Sequence, residues 1–575
     1  MEHFYKRDQN LRELLQRALP ATFFQWVDRE LEAFSSRCTG AIDARAAHTD
    51  RAGQPQLIRY DKMGNEISKV WLNEGYRQTV AETYGAGIVG YIHKEIPELG
   101  HKGNYVYAFA QGYLLSHAEP GFYCPVTLSK ATAYLLDQYA EGDVRTRFLP
   151  HVLATGDTEL YEGATFLTER QGGSDVGANE TEAIRSGDSY RLTGEKYFAS
   201  NAGACGVAMV LARMEDSPSG TRGLSLFAVP WEENRAAGTL RIRRLKDKLG
   251  VRAVPSAEVE FTGATGYLVG EPEKGFYYMM EALNLSRVSN AVASHGIMRR
   301  ALFEAYDYAG ERDAFGQKLT RFPMVQTTLA RLAAKQNVSL KVLFEVIEMM
   351  DRVMGPDTKA SASQEGTLLF RLFVAIVKKD TAEQAIHFAR ESLEMHGGNG
   401  YIEDFVTPRL LRDAQVLTVW EGTANILGLE VLRLIMKYHV DELFTNVMIE
   451  RLDAVEPKLE HMPDQEQWKR HLEAIRSRLA EVNTHISTLK KADHDIQTYY
   501  AKTIAEQYSD LFESLVALEA AATGEETQRQ LSAVYLENTM GQPNQWSMAP
   551  VELEAFWAVE ASLTGERDVA SVHES

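Results

Sequence analysis

The spacing of apolar residues divides the chain into helical stretches and one stretch of strand character. From Leu11 to about Leu153, apolar side chains recur three and four residues apart, as in LRELLQRAL and FFQWVDRELEAF, which predicts a mainly helical segment. The polar, alanine-rich stretch from Thr39 to Pro55 interrupts this period and is predicted to be a loop.

Alternation with a period of two begins after about Tyr161. Apolar and polar residues alternate in YRLTGEK, VAMVLAR, GLSLFAVP, LRIRRLK and AEVEFTG, and turns rich in Gly, Asp and Ser separate these runs. Several short strands with such turns predict an antiparallel sheet module or small barrel, which ends near Gly270.

Long helical segments return between Lys274 and about His439. Three of them contain ASHGIMRRALFEAYDYAGERDAF, LARLAAKQNVSLKVLFEVIEMM and GTLLFRLFVAIVKKDTAEQAIHFARESLEM, and the last is apolar enough to be buried on more than one side. Pro356 and the polar KASASQEG predict a loop between the second and the third. Long helices with short connections predict an up-down bundle.

Two amphipathic helices are predicted in the remaining tail. Their apolar positions, alternately four and three residues apart, are Trp468, Leu472, Ile475, Leu479, Val482, Ile486 and Leu489, and then Ile504, Tyr508, Leu511, Leu515 and Leu518. This spacing predicts an antiparallel pair that packs on the body or on each other. The chain is thus predicted to have four domains, at 1–158, 159–270, 271–440 and 441–575.

The net negative charge of the chain argues against nucleic acid as a partner. The chain of 575 residues has a net charge of −19, and the segment 441–575 holds 25 Asp and Glu against 11 Lys and Arg. Binding to nucleic acid needs a basic face, so no nucleic acid is expected as a partner. No apolar run is long enough to predict a transmembrane segment.

The same composition predicts a cytoplasmic protein without a metal. The charged start, MEHFYKRDQNLRELLQ, lacks the apolar core of a signal peptide. Cys38, Cys124 and Cys205 are too few and too scattered for a disulfide framework or a metal site. The histidines form no H-x-x-x-H pair on a helix.

Two glycine-bearing turns are the candidates for chemistry. One is Gly397-Gly398-Asn399-Gly400 and the other is Glu421-Gly422-Thr423, each attached to an apolar, periodic segment. Glycine lets backbone N–H groups approach a ligand closely. A lone Glu before Gly is usually a surface or capping carboxylate, and the common nucleotide and nucleophile-elbow motifs are absent from the sequence. The residues alone predict a soluble, cofactor- or ligand-binding enzyme of mixed helix and sheet.

Six segments, taken in order, resemble signatures of the acyl-CoA dehydrogenase flavoprotein family. LTERQGGSD is similar to T-E-P-x-A-G-S-D, GEKYFASN to K-x-W-I-T-N, and LKDKLGVR to K-M-G-x-R. ERDAFGQKL is similar to E-R-x-x-F-G-x-x-L, HGGNGY to G-G-x-G-Y/F, and VWEGTANI to Y-E-G-T-x-x-I. Together they span roughly residues 60–435.

Within that family, the chain most resembles the AidB-like branch with a C-terminal extension, through YDKMGNEISKV, GFYCPVTL and VWEGTANILGLEVLR. The resemblance implies a helical N-domain, a middle β-barrel domain, a helical-bundle C-domain and an extra helical domain. It also implies FAD as cofactor, an acyl-CoA substrate, a homodimer or homotetramer, and an electron-transfer flavoprotein or similar acceptor.

The resemblance also assigns site residues. The FAD contacts that it implies are Thr168, Gly173, Ser174, Phe198, Ser200, Arg312, Phe315, Gly397, Gly398, Thr423 and Asn425. The substrate contacts are Ser174, Asn284, Arg287, Trp420 and Gly422. Among these, Phe198 replaces a Trp but keeps an aromatic face, and Arg312 with Phe315 is expected to hold the partner subunit's FAD.

The implied reaction is α,β-dehydrogenation of an acyl-CoA thioester to the trans-2-enoyl-CoA. Glu421 removes the α-proton while the β-hydrogen leaves as hydride to flavin N5. A carboxylate in an apolar, water-poor pocket becomes a stronger base, and Trp420 beside Glu421 fits such a pocket. Some family members place the base just before the arginine matched by Arg287, but Ser286 stands there, so Glu421 is the sole candidate.

Three positions depart from the family pattern. Arg170 replaces a Pro, and Glu394 and Pro323 each replace a Gln. A carboxylate near an FAD pyrophosphate would repel it, so Glu394 is expected to face elsewhere or to pair with an Arg.

Two other functions stay open beside the dehydrogenase. One is an AidB-like flavoprotein with weak dehydrogenase activity and a stress-protective or binding role, although the acidic tail lacks the basic surface of that branch. The other is a non-enzymatic scaffold, which requires that no FAD binds. Acyl chain length does not follow from the sequence.

Overall fold

The computed structural model describes residues 3–541 and 551–564. Its backbone divides into two compact units. Unit 1 consists of Met1–Ser36, Asn290–Met354 and Thr358–Ser575, and unit 2 of Arg37–Ser289 and Gly355–Asp357. The predicted division into four domains stays a prediction, and parts of the predicted fourth domain, 542–550 and 565–575, lie outside the described residues.

The first 158 residues are mainly helical, as predicted. Their elements are α1 (Gln9–Ala18), α2 (Ala21–Arg37), α3 (Asp43–Arg51), β1 (Gln56–Tyr60), β2 (Glu66–Trp71), α4 (Glu74–Gly85), β3 (Glu95–Ile96), β4 (His101–Lys102), α5 (Tyr105–Ala118), α6 (Pro120–Tyr139) and α7 (Gly142–Val152). β1 and β2 form an antiparallel hairpin that the helical pattern did not predict.

The prediction of a loop from Thr39 to Pro55 is wrong as far as Arg51 and holds only for the last four residues. A π-helix spans Cys38–Ile42 and leads directly into α3. Cys38, Ile42 and Ala46 are buried at a spacing of four, and alanine is the strongest helix former, so a short apolar stripe suffices to hold this helix.

The middle of the chain forms a seven-stranded sheet. Its elements are β5 (Gly163–Phe166), β6 (Glu182–Ser186), β7 (Ser189–Ser200), β8 (Val207–Met214), β9 (Leu224–Pro230), α8 (Trp231–Ala236), β10 (Leu240–Leu245) and β11 (Ser256–Val269). Pairing runs around a closed ring, β11-β7-β6-β8-β9, and β9 pairs back to β11, which confirms the predicted barrel. β5 and β6 both pair with β8 in parallel, so the sheet is not purely antiparallel.

Long helices follow the sheet, and they confirm the helical bundle. These elements are α9 (Gly275–Glu311), β12 (Asp313–Ala314), β13 (Gln317–Lys318), α10 (Pro323–Met354), α11 (Gln364–Met395), α12 (Thr407–Leu417) and α13 (Ala424–Tyr438). Only a short 3-10 helix, Lys359–Ser361, lies between α10 and α11, where a loop was predicted.

The tail adds five helices within the described residues. They are α14 (Val440–Leu459), α15 (Gln465–Leu489), α16 (His494–Thr523), α17 (Glu526–Met540) and α18 (Val551–Thr564). Every apolar position predicted for the two amphipathic helices is buried in α15 or α16. α16 packs on α15, α13 and α17, so the tail packs both on itself and on the bundle.

Ion pairs reinforce that packing. Arg451 on α14 donates to Glu345 on α10 at 2.5 Å and to Glu519 on α16 at 2.9 Å.

No helix within 3–541 or 551–564 combines the length and the apolar character that crossing a membrane requires.

A buried carboxyl stands at the start of β5, in unit 2. Glu162 accepts a hydrogen bond from the Tyr84 hydroxyl at 3.2 Å, and Tyr84 also lies 2.7 Å from Ser129 Oγ. Asn201, which follows β7, donates to the Gly163 carbonyl at 3.1 Å. Burial raises the pKa of the Glu162 carboxyl to about 8, although its hydrogen bonds with Tyr84 and Asn201 favour the carboxylate.

We expect this raised pKa to make stability fall with rising pH. Between about pH 4.5 and about pH 8 the unfolded chain releases the Glu162 proton while the folded chain keeps it. This difference of one proton lowers the free energy of unfolding by up to about 1.4 kcal/mol per pH unit. Glu162→Gln should remove this part of the decline, measured by urea unfolding across that range. Exposed Glu159→Gln is the control. Parallel curves for Glu162→Gln and the unaltered protein would contradict the assignment.

Candidate active site

A tight turn between α12 and α13 carries the predicted base. The backbone N–H groups of Val419 and Trp420 both donate to the Val416 carbonyl, at 2.8 and 3.0 Å. Glu421 then takes the left-handed conformation, with φ 60°, and Gly422 has φ 104°. A residue with a side chain is strained in the left-handed region and persists there only where its surroundings hold it. The glycine at 422 is therefore required by the backbone, and Glu421 is held under strain.

A buried lysine holds the other side of this turn. Lys378, on α11, is 1% exposed, and its Nζ donates to the Gly422 carbonyl at 2.6 Å. Thr423 is the N-cap of α13, and its carbonyl accepts the Leu427 N–H at 3.0 Å. The sequence reasoning missed Lys378. The available signal was a lysine in a helix apolar enough to be buried on more than one side.

Exposure differs along the turn. Trp420, Glu421 and Gly422 are partly buried, whereas Thr423 and Asn425 are exposed. The carboxylate thus belongs to a partly buried residue that directly follows Trp420, and two polar residues are accessible at the N-terminus of α13.

The first glycine turn lies after α11, also in unit 1. Gly397 has φ 58°, and apart from the adjoining backbone no atom of the described residues lies within 4 Å of a Cβ placed at Gly397 or Gly398. Asn399 donates to the Tyr308 hydroxyl at 3.1 Å, and the Tyr308 ring lies 4.2 Å from the His396 ring. The turn therefore faces open space and is fastened to α9 through Tyr308.

Arg312 and Phe315 lie at the same end of α9. The Arg312 N–H donates to the Tyr308 carbonyl at 2.9 Å. Phe315 and Gly316 connect β12 to β13, with φ 51° and 86°. Such a two-residue turn normally takes Asn-Gly or Asp-Gly. Phe315 is 97% exposed, so packing of its ring in the core of this chain does not stabilise the strained backbone.

The unit 2 residues group around Thr168. Its carbonyl accepts the Tyr197 N–H at 2.9 Å, which places Thr168 next to Tyr197 on β7, the residue before Phe198. A Cβ at Gly173 would lie 2.5 Å from Thr168 Oγ1, so only glycine lets the loop close on that hydroxyl undisturbed. Ser174 is exposed, and Phe198 is 55% exposed.

Glu169, the residue after Thr168, forms a buried ion pair that holds this part of the loop. Glu169 and Lys196 meet at 2.6 Å in the interior of unit 2, and Glu169 also accepts hydrogen bonds from Thr181 Oγ1 and the Glu180 N–H. Burial alone would raise the pKa of Glu169, but Lys196 and these hydrogen bonds lower it overall. The pair was missed, although both residues stand inside matched motifs.

Phe198 and Ser200 have defined neighbours. Lys246 Nζ lies 4.7 Å from the centre of the Phe198 ring and 3.3 Å from that of Tyr197. Ser200 Oγ lies 3.4 Å from Ser256 Oγ. These contacts hold the exposed ring of Phe198 and the hydroxyl of Ser200 on the same strand, β7.

The predicted substrate contacts on α9 are adjacent. Arg287 donates to the Asn284 side chain at 3.3 Å. Arg287 and Ser286 are both buried. The Ser286 position thus holds a buried hydroxyl and no carboxylate.

The departures from the family pattern have local explanations. Glu394 pairs with Arg390 at 2.8 Å, as expected for a carboxylate that must be neutralised. Arg170 pairs with Glu195. Pro323 is the first residue of α10, a position where the missing N–H costs nothing.

Each unit, taken by itself, offers features that suit contact with part of a flavin dinucleotide. The exposed Phe198 ring can stack on a planar ring, and the Thr168 hydroxyl can hydrogen-bond to one. The open backbone at Gly397 and Gly398 admits a close approach by a ligand. Across 3–541 and 551–564, no group of three or more His, Cys, Asp or Glu is arranged to hold a metal. The individual roles of the site residues stay predictions.

Family models match most of the chain. The acyl-CoA dehydrogenase middle domain matches residues 164–264, and the acyl-CoA dehydrogenase C-terminal domain matches 273–436. The N-terminal domain of the adaptive response protein AidB matches residues 2–156. The helices of the tail continue beyond 436, as the predicted AidB-like branch with an extension requires.

Individual proteins match over most of their length. Acyl-CoA dehydrogenase family member 11 of Caenorhabditis elegans is 31% identical over 88% of this chain and 82% of its own. AidB of Escherichia coli (strain K12) is 32% identical over 67% of this chain and 69% of its own. The crystal structure of C. elegans ACDH-11 in complex with C11-CoA has a TM-score of 0.85 at 26% identity, and the match covers 99% of this chain and 96% of that one. The chain therefore belongs to the acyl-CoA dehydrogenase family of flavin-dependent oxidoreductases, whose cofactor is FAD.

Proposed function

We propose that the protein catalyses the α,β-dehydrogenation of an acyl-CoA thioester to the trans-2-enoyl-CoA, with Glu421 as the base. The observation that carries this proposal is the turn at Glu421: a partly buried carboxylate, beside Trp420, on a backbone held in a strained conformation. Strain of this kind is typical of functional positions.

Each residue of the turn has a part in this reaction. Glu421 takes the α-proton, and its backbone N–H donates to the thioester carbonyl oxygen, which stabilises the negative charge that develops there. Trp420 and Gly422 line the acyl thioester, and Trp420 keeps water from the carboxylate. When bound, FAD supplies the acceptor for the β-hydride at flavin N5. Loss of the proton and the hydride leaves the new double bond.

The remaining predicted residues bind the two ligands. We assign Thr168, Gly173, Ser174, Phe198, Ser200, Arg312, Phe315, Gly397, Gly398, Thr423 and Asn425 to FAD, and Ser174, Asn284 and Arg287 to the substrate. The exposed Phe315, with Arg312 three residues before it, supports a contact with FAD of a second subunit, and hence a homodimer or homotetramer. An Arg side chain suits a pyrophosphate.

The biological setting is proposed from the same chemistry. The product and the class of substrate fit fatty acid β-oxidation in the cytoplasm, with an electron-transfer flavoprotein or similar acceptor reoxidising the flavin. The relative crystallised with C11-CoA supports a chain of about that length as the first substrate to test.

The AidB N-terminal match supports one alternative, a weak dehydrogenase with a stress-protective or binding role. The acidic tail gives no support to binding of nucleic acid through that segment.

We expect acyl-CoAs to bleach the flavin of the purified protein under anaerobic conditions. A panel from C4-CoA to about C18-CoA, including C11-CoA, should identify at least one that reduces it. Glu421→Gln should retain FAD but slow the reduction by about 10²- to 10⁴-fold, the range that a positioned base contributes. Glu442→Gln, an exposed carboxylate on α14, is the control.

The outcomes separate the alternatives. Reduction by no acyl-CoA would reject the dehydrogenase, and normal reduction of Glu421→Gln would move the base elsewhere. A protein that shows no flavin absorbance and takes up no added FAD would support the scaffold.

We expect Gly173→Ala to weaken FAD binding through Thr168. The added methyl group would lie 2.5 Å from Thr168 Oγ1 and force that hydroxyl to turn away. Titration of apoprotein with FAD, followed by flavin fluorescence, should show weaker binding for Gly173→Ala and for Thr168→Val. The double variant should be no worse than the poorer single one, because both act through the same hydroxyl. Additive losses would show that Gly173 acts independently of Thr168.

A further inference from the structure

The turn at Glu421 has two anchors of different kinds. On its N-terminal side, the Val416 carbonyl at the end of α12 accepts two backbone N–H groups. On its C-terminal side, the anchor is a side chain from another helix, the ammonium of Lys378 on α11. Between the anchors stand the two residues with positive φ, Glu421 and Gly422.

The second anchor is well suited to hold strained backbone. The Lys378 ammonium is excluded from solvent, and its distance of 2.6 Å to the Gly422 carbonyl marks a short, charge-assisted hydrogen bond. Removal of water makes such a bond stronger, and burial leaves the lysine few alternative rotamers. The carbonyl of Gly422 can therefore move little, and the same constraint reaches the preceding residue, because rotation about the Gly422 backbone would break the bond.

We propose that Lys378 is a positioning residue for the reaction: its hydrogen bond to the Gly422 carbonyl holds Glu421 in the left-handed conformation that aims the base. Lys378 acts through the backbone and needs no contact with substrate. The inference deepens the proposed function and rests on Glu421 as the base.

The neighbouring Lys379 offers a matched control on the same helix. It is also buried, but its Nζ pairs with Glu383 and Glu506, each at 3.0 Å. Its contacts are thus with carboxylates of α11 and α16 and not with the turn. Removing either lysine takes one ammonium out of α11, but only Lys378 is bonded to Gly422.

The experiment uses the FAD-loaded protein and the acyl-CoA that reduces it fastest. Stopped-flow absorbance gives the limiting rate of flavin reduction and the half-saturating substrate concentration for Lys378→Met, Lys378→Gln and Lys379→Met. We expect Lys378→Met to lower the limiting rate about 10- to 100-fold, the worth of a hydrogen bond to a charged group, with little change in half-saturation. Lys378→Gln, which keeps a donor, should recover part of the rate, and Lys379→Met should resemble the unaltered protein.

Each other outcome is decisive. An unchanged limiting rate in Lys378→Met, or an equal loss in Lys379→Met, overturns the positioning role. A loss confined to half-saturation would make Lys378 a binding determinant and would also overturn it. If Lys378→Met does not fold, Lys378→Gln alone carries the comparison. If neither folds while Lys379→Met does, Lys378 is a folding determinant and the proposal fails.

Glu421→Gln, measured in parallel, separates this inference from the proposed function. Fast reduction in Glu421→Gln would reject Glu421 as the base, whatever Lys378 does. Slow reduction in Glu421→Gln together with full speed in Lys378→Met would reject only the positioning role.

Discussion

The passage from α12 to α13 is constrained by two consecutive residues with positive φ. An α-helix must end, the chain must turn, and a second helix must begin within a few residues, with Glu421 in between. Gly422 adopts such a conformation freely, but Glu421 does so only against steric cost. The Val416 carbonyl and the Lys378 ammonium offset that cost from the two sides. The position of the carboxylate thus depends on a hydrogen bond between helices that are distant in sequence.

The loop of unit 2 that contains Thr168 is held in a similar way. Thr168 sits in irregular backbone, yet it is tied to β7 through the Tyr197 N–H and to the core through the neighbouring Glu169–Lys196 pair. Breaking a buried pair by removing one partner is strongly destabilising, so this pair commits the loop to one arrangement. In both units, a buried charge is bound next to the residue assigned to chemistry.

The described helices of the acidic tail contribute packing. The apolar stripes of α15 and α16 are buried, and Arg451 bridges carboxylates of α10 and α16. Most of the negative charge therefore belongs to solvated helix faces. This is consistent with the charge count, since an acidic surface repels polyanions and leaves helix packing undisturbed.

Local patterns were sufficient for much of the architecture. Alternation predicted the strands from Tyr190 to Phe261, and every apolar position that helical spacing predicted in α15 and α16 is buried, because these patterns record which side of an element meets the core. They failed from Cys38 to Arg51, where few apolar residues are enough for a helix rich in alanine. They also missed that β8 and β9 are buried on both faces, and that β8 pairs in parallel with β5 and β6.

By itself, the sequence determined the family, the barrel between helical regions and the candidate residues, because motif order and periodicity are properties of the linear chain. Only the tertiary structure decided how those residues are held. Glu394 could be expected to need an Arg, and Arg390 one turn earlier supplies it. Lys378 lies 44 positions from Gly422, and Tyr308 lies 91 from Asn399. Hydrogen bonds across such separations depend on how helices pack, and no local pattern encodes that packing.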